Sequence, residues 1–202
     1  MNKTVNRDAK SAQIRMLAGS AMLTAIVVVL QFFASVIHFG VFSITLVLAP
    51  IVVGAALFGS MIAMWLGFVF GVCVLLSGDA APFLTINAAG TIVTVLLKGI
   101  ASGVGAGLVY TLLKKFNRYL ATFVAALAAP VCNTGVFLIG CRLFFWDTIS
   151  EWGAAAGFES AAAYVILSMV GVNFLVETGI NAVLSPIIVR LVDVIEKQFK
   201  KA

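Results

Sequence analysis

Charge is scarce in this sequence: 10% of its 202 residues are Asp, Glu, Lys or Arg, while 62% are hydrophobic. That balance cannot cover a water-soluble surface and points to an integral membrane protein. Between Arg15 and Asp79 no residue carries a formal charge apart from the one histidine, His38, if it is protonated. A run of that length holds about three bilayer spans at ~20 residues each. Histidine is otherwise missing, so His38 cannot build a zinc site by itself, and no metal site is expected. Cysteine is also sparse: Cys73, Cys132 and Cys141 all fall inside apolar stretches without metal-ligand spacing. They read as small packing residues and not as a disulfide framework.

The motifs of catalysis are missing too. There is no G-x-x-x-x-G-K-S/T phosphate loop, so the chain should not hydrolyse ATP itself. There is no H-E-x-x-H, no second intramembrane aspartate for an aspartyl dyad, and no Ser–His pair in a nucleophile context. The expectation is a protein that is not an enzyme and carries no cofactor. No inverted repeat of the secondary-transporter kind is visible, and no ring of charges marks a pore. The net charge of +5 raises the question of nucleic acid, but the cations cluster beside apolar segments and read as topology signals, so no nucleic-acid partner is expected.

What is present is a succession of apolar segments continuing to the end of the chain, which makes the first of them a span and not a cleavable signal. The reading is an all-α integral membrane protein, six transmembrane helices in one compact bundle over residues 1–202. Residues 1–15, with Lys3, Arg7, Lys10 and Arg15, form a basic cytoplasmic lead-in at the membrane surface. The spans are expected at about 17–37, 44–58, 61–76, 86–113, 120–145 and 161–190, with 191–202 as a cytoplasmic tail. Residues 38–43, containing Gly40 and Ser43, break the apolar run as a loop, and Gly59-Ser60 reads as a tight turn. Lysines and arginines concentrate before the first span, at Lys114 to Arg118 and from Arg190 onward, which puts both termini in the cytoplasm.

Three spans carry polar or close-packing patterns at the helical period. In the first, Ala21 and Ala25 make a small-xxx-small face that permits close helix contact. In the fourth, Asn87, Thr91, Thr94, Lys98 and Ser102 form a polar stripe beside Gly99, Gly103 and Gly107, a close-packing edge, with Gly54, Gly67 and Gly71 marking further contacts on earlier spans. In the last, Asn173, Glu177 and Asn181 recur every four residues. A carboxylate within a span costs a few kcal/mol even on lenient scales, so Glu177 should face other helices and a cation or ligand. At 1.5 Å per residue, Lys98 lies roughly 18 Å and Glu177 roughly 22 Å below the outer ends of their spans, so the two can meet. Either they are a packing pair or they line a ligand cavity. Arg142 either reaches the outer headgroups or binds an anionic group from outside. Nine residues separate it from Asn133, about half a turn out of phase, so both reach one cavity only if the fifth helix bends or ends early.

Taken together, the basic start before Ala21-Met-Leu-Thr-Ala25, then Ala49-Pro-Ile-Val-Val-Gly-Ala-Ala-Leu-Phe-Gly59, Gly67-Phe-Val-Phe-Gly71, Lys98-Gly99, Pro130-Val-Cys-Asn-Thr-Gly135 and the Asn173, Glu177, Pro186 pattern resemble a known family. It is the membrane-embedded substrate-binding S components of energy-coupling factor (ECF) vitamin transporters. One departure is Ser60-Met61, where the family pattern has a proline after Phe-Gly. The resemblance implies a multi-pass protein of the prokaryotic cytoplasmic membrane that binds a water-soluble vitamin. It implies further partners, a transmembrane EcfT-type coupling protein and two cytoplasmic ATPases. It implies that Ala21 and Ala25 contact the coupling protein, that His38, Phe39, Gly40 and Phe42 belong to a lid loop, and that substrate binds near Asn87, Asn133, Arg142 and Asn173, with Lys98 and Glu177 beneath. The Pro130 to Phe145 segment looks most like the pantothenate branch, with riboflavin and folate as alternatives. The rival class is a non-transport membrane scaffold.

Overall fold

The computed structural model describes residues 2–35, 38–39, 42–43 and 46–201; the side chains of 2–9, 11–12, 38–39, 42–43, 196 and 199–201 are outside that description. Helix α1 (Asn2–Ala34) absorbs the basic lead-in and the first span into one helix. A minimal hairpin follows, β1 (His38–Phe39) against β2 (Phe42–Ser43), with His38 opposite Ser43 and Phe39 opposite Phe42. Next come α2 (Leu48–Phe58), α3 (Ser60–Ser77), the single turn α4 (Ala81–Leu84), α5 (Ala88–Leu113) and α6 (Arg118–Phe144). The chain closes with α7 (Trp146–Ala155), α8 (Ala161–Tyr164), a π-helical segment (Val165–Val170) and α9 (Gly171–Lys201).

Among the described residues, five stretches are long and apolar enough to cross a membrane: Gln13–Ala34, Ser60–Ser77, Ala88–Leu113, Arg118–Phe144 and Ala161–Ile195. The second expected span is represented by α2, apolar but only 11 residues long. At 1.5 Å per residue it rises roughly 17 Å, about half a hydrocarbon core. It is also the most enclosed helix, with Leu48, Ile51 and Val52 fully buried. Residues 146–155, expected as loop, instead form α7. Its alternation explains this: Ile149 and Gly153 are buried while Asp147 and Glu151 face outward, at the spacing of a helix lying on a surface.

The helix ends follow local chemistry. Asn87 caps α5 by accepting from the Gly90 N–H at 2.9 Å. Asn117 caps α6 by accepting from the N–H groups of Tyr119 and Leu120. Gly59 turns the chain from α2 into α3 at φ +88°, a conformation that side chains with a Cβ rarely adopt. Pro130 and Pro186 sit inside α6 and α9, which continue past them. An Arg118–Asp193 ion pair of 3.2 Å ties the start of α6 to the late part of α9.

The tightest contact in the bundle is the seam between α3 and α5. A Cβ placed on Gly67 would meet the Gly99 carbonyl, and one on Gly99 would meet the Gly67 carbonyl. Gly71 lies against the Val95 carbonyl, Gly103 against the Ala63 carbonyl, and Gly107 against Ser60. Backbone therefore packs directly on backbone, which is the role the glycine repeat suggested. Beside the seam the core is filled by Phe70, Leu66, Ile51 and Val52, all with no exposed surface.

Candidate functional site

Where α3 ends and α5 begins, the bundle encloses a chamber bounded by α1, α3, α4, α5, α6, the π segment and α9. About 760 Å³ of atom-free space lies there, part of it open to the outside, and the centre of a water molecule can travel over about 70 Å³ of it. At roughly 10–15 Å³ per water that is room for a handful of waters.

Each wall contributes through its helical period. From α5 come Thr91, Thr94 and Lys98, three and four residues apart on one face. Gly140 of α6 allows that face a close neighbour, since a Cβ there would strike the Thr94 side chain. From α6 come Asn133, Thr134 and Phe137, and from α9 Asn173, Phe174 and Glu177. Gln31 reaches in from α1, and Asp79 from the turn after α3. Four expected site residues, Lys98, Asn133, Asn173 and Glu177, thus line one cavity.

Lys98 is the cation of this chamber. Its Nζ lies 5.8 Å from the centroid of the Phe70 ring and 5.5 Å from that of Phe137, within cation–π range. Glu177, 2% exposed, accepts from the Asn173 side-chain N–H at 3.4 Å, and its backbone carbonyl accepts from Asn181 Nδ2 at 2.8 Å. Across the cavity, Gln31 Nε2 donates to Asp79 Oδ2 at 2.6 Å, a charge-assisted bond. Phe83, from α4, packs edge-on against Phe137, Phe145 and Trp152 at centroid distances of 5.9, 5.0 and 5.8 Å. Phe83, Phe137 and Phe145 all border the chamber, so this cluster forms an aromatic wall to it.

Four polar atoms in this lining are buried and find no partner among the described residues: Gln31 Oε1, Thr94 Oγ1, Asn133 Oδ1 and Asn173 Oδ1. An unsatisfied buried acceptor costs about 1–3 kcal/mol, so four around one space are expensive for an ordinary core. The arrangement is suited to a polar guest.

Two expected site residues are elsewhere. The Asn87 side chain is spent on capping α5. Arg142 is exposed, with its guanidinium 4.9 Å from the Trp146 ring centroid. Because α6 runs on as helix to Phe144, Arg142 keeps the half-turn offset from Asn133 and points away from the chamber. In the expected lid loop, Gly40 and the side chains of His38, Phe39 and Phe42 lie outside the described residues. Ala21 and Ala25 are exposed on α1. Sequence reasoning overlooked Gln31 and read Asp79 as a loop residue. A signal existed for the first: Gln31 is the one amide in the otherwise apolar run Ala25 to Phe33.

Membrane-length apolar helices around a polar chamber with an aromatic wall define a multi-pass membrane protein with an internal polar chamber. Residues 15–189 match the family described as ECF transporter, substrate-specific component. The chain belongs to that family, a family of transporter substrate-binding components and not of enzymes. No curated protein and no solved structure matches the chain.

Proposed function

We propose that this chain is the substrate-binding subunit of an ECF-type importer for a water-soluble vitamin, with the chamber between α1, α5, α6 and α9 as its binding site. The observation that carries the reading is the set of three amide oxygens and one hydroxyl, buried without a partner among the described residues, in the chamber that Lys98 also lines inside an apolar bundle. In this reading α2 counts as a sixth, short span, and both termini lie in the cytoplasm, as the cation distribution favours. The hairpin region serves as the lid, and the exposed face with Ala21 and Ala25 meets a transmembrane coupling protein. Two cytoplasmic ATPases supply the energy, since this chain has no phosphate loop.

Pantothenate is the vitamin proposed, with riboflavin and folate next. Its carboxylate pairs with Lys98, taking the role first assigned to Arg142, while its hydroxyl and amide groups address the unpartnered acceptors. Vitamin-sized ligands occupy sites of roughly 300–1,000 Å³, so binding requires the rings of Phe83, Phe137 and Phe145 to shift. Isothermal calorimetry on the detergent-purified chain tests the choice: pantothenate should bind. Mass spectrometry of small molecules retained through purification tests the class. Recovery of riboflavin or folate replaces pantothenate, and a chain that binds no vitamin and never co-purifies with a coupling protein is a scaffold.

A further inference from the structure

The chamber holds amides whose orientation is fixed by carboxylates. A side-chain amide has a donor end and an acceptor end, and which one faces a ligand depends on its other neighbours. An ionised carboxylate only accepts, so it takes the N–H end and leaves the oxygen for the other side. Gln31 is bound in this way to Asp79 at 2.6 Å, and Asn173 to Glu177 at 3.4 Å. In both, the freed oxygen is buried, borders the chamber and lacks a partner among the described residues. Gln31 is 1% exposed and belongs to α1; Asn173 belongs to α9, so the two acceptors come from separate helices.

We propose that Asp79 and Glu177 are positioning residues that set the polarity of the chamber: by holding the N–H ends of Gln31 and Asn173, they turn both amide oxygens inward, so the site selects a ligand that donates hydrogen bonds through hydroxyl or N–H groups at two points. The inference rests on the proposed vitamin-binding function and adds the ligand's recognised chemistry. A molecule that offers only acceptors there leaves both oxygens desolvated and unpaired, and sites of this kind reject such analogues strongly. The shorter Gln31 contact is the firmer of the two locks.

The test uses the full chain in detergent and calorimetry with two pairs of probes: pantothenate and its hydroxyl-methylated derivative, riboflavin and its ribityl-acetylated derivative. For whichever parent binds, the blocked derivative should bind roughly 100-fold more weakly, in line with lost partners for buried acceptors. Asp79→Asn lets the Gln31 amide reverse, so the gap between parent and derivative should shrink to about tenfold or less; Glu177→Gln should shrink it by a smaller factor. Should Asp79→Asn fail to fold, Gln31→Leu replaces it: affinity for the parent falls about 10-fold or more, and affinity for the derivative holds or rises. A blocked derivative that binds as tightly as its parent, or a gap unaltered by these substitutions, overturns the polarity proposal and leaves the transport reading standing. If neither parent binds, the vitamin reading fails and the proposal falls with it.

Discussion

The two faces of α5 both recur at about one helical turn and do opposite things. On one, Gly99, Gly103 and Gly107 bring α5 against α3 until backbone meets backbone. On the other, Thr91, Thr94 and Lys98 border a chamber in which four buried polar atoms find no partner among the described residues. The first face gains stability from close packing, and any added atom harms it. The second carries polar groups that the described fold leaves unfinished, and it has room beside it. A repeat at about one helical turn in a membrane helix therefore marks a face, and the side-chain type says whether it packs on a neighbour or borders a cavity.

The largest effect expected from breaking this contrast is at the seam. Gly99→Val drives two branched methyls into the Gly67 carbonyl, which belongs to a packed backbone and cannot swing aside. The loss should reach or exceed the upper end of the roughly 1–3 kcal/mol of ordinary overpacking, read as lost folded yield or a lower melting temperature in detergent. Gly135→Ala is the matched control, since a Cβ there has nothing within 4 Å; it should leave stability unchanged or raise it by up to about 1 kcal/mol. Equal losses at both positions would mean the seam is not what holds α3 to α5.

Lys98→Met probes the other face. It should weaken ligand binding by roughly 10- to 100-fold in calorimetry, the range for a lost hydrogen bond to a charged group. A lower melting temperature with affinity intact would instead make Lys98 purely a structural partner of Glu177. The smallest effect is expected from Arg142→Ala. With the guanidinium exposed on Trp146, affinity should stay within about threefold, as for a substitution outside the site. A strong loss there would bring Arg142 back to the ligand.

The parts of the molecule legible in the sequence were those written at short range. The glycine and polar stripes of α5 and the Asn173–Glu177 face depend only on positions one helical turn apart, and the structure carries both. What escaped was long-range pairing. Gln31 and Asp79 are 48 residues apart, and nothing local to either reveals that one orients the other. Arg142 is a different case: the half-turn offset from Asn133 is readable in the sequence, but whether α6 bends to cancel it is not. Likewise α7 was hidden by its acidic face, which resembles a loop until Ile149 and Gly153 are seen to be buried together.

The π-helical segment Val165–Val170 bears on the last span as a matter of rotation. A π turn spends an extra residue per hydrogen-bonded ring, and each residue of a helix advances the face by about 100°. Were those six residues regular α-helix, Asn173 and Glu177 would swing away from their present heading relative to the cap at Ser160. A one-residue insertion or deletion anywhere between Ser160 and Asn173 is therefore a rotation of the chamber-lining face, and the π segment sets the heading from which that rotation starts.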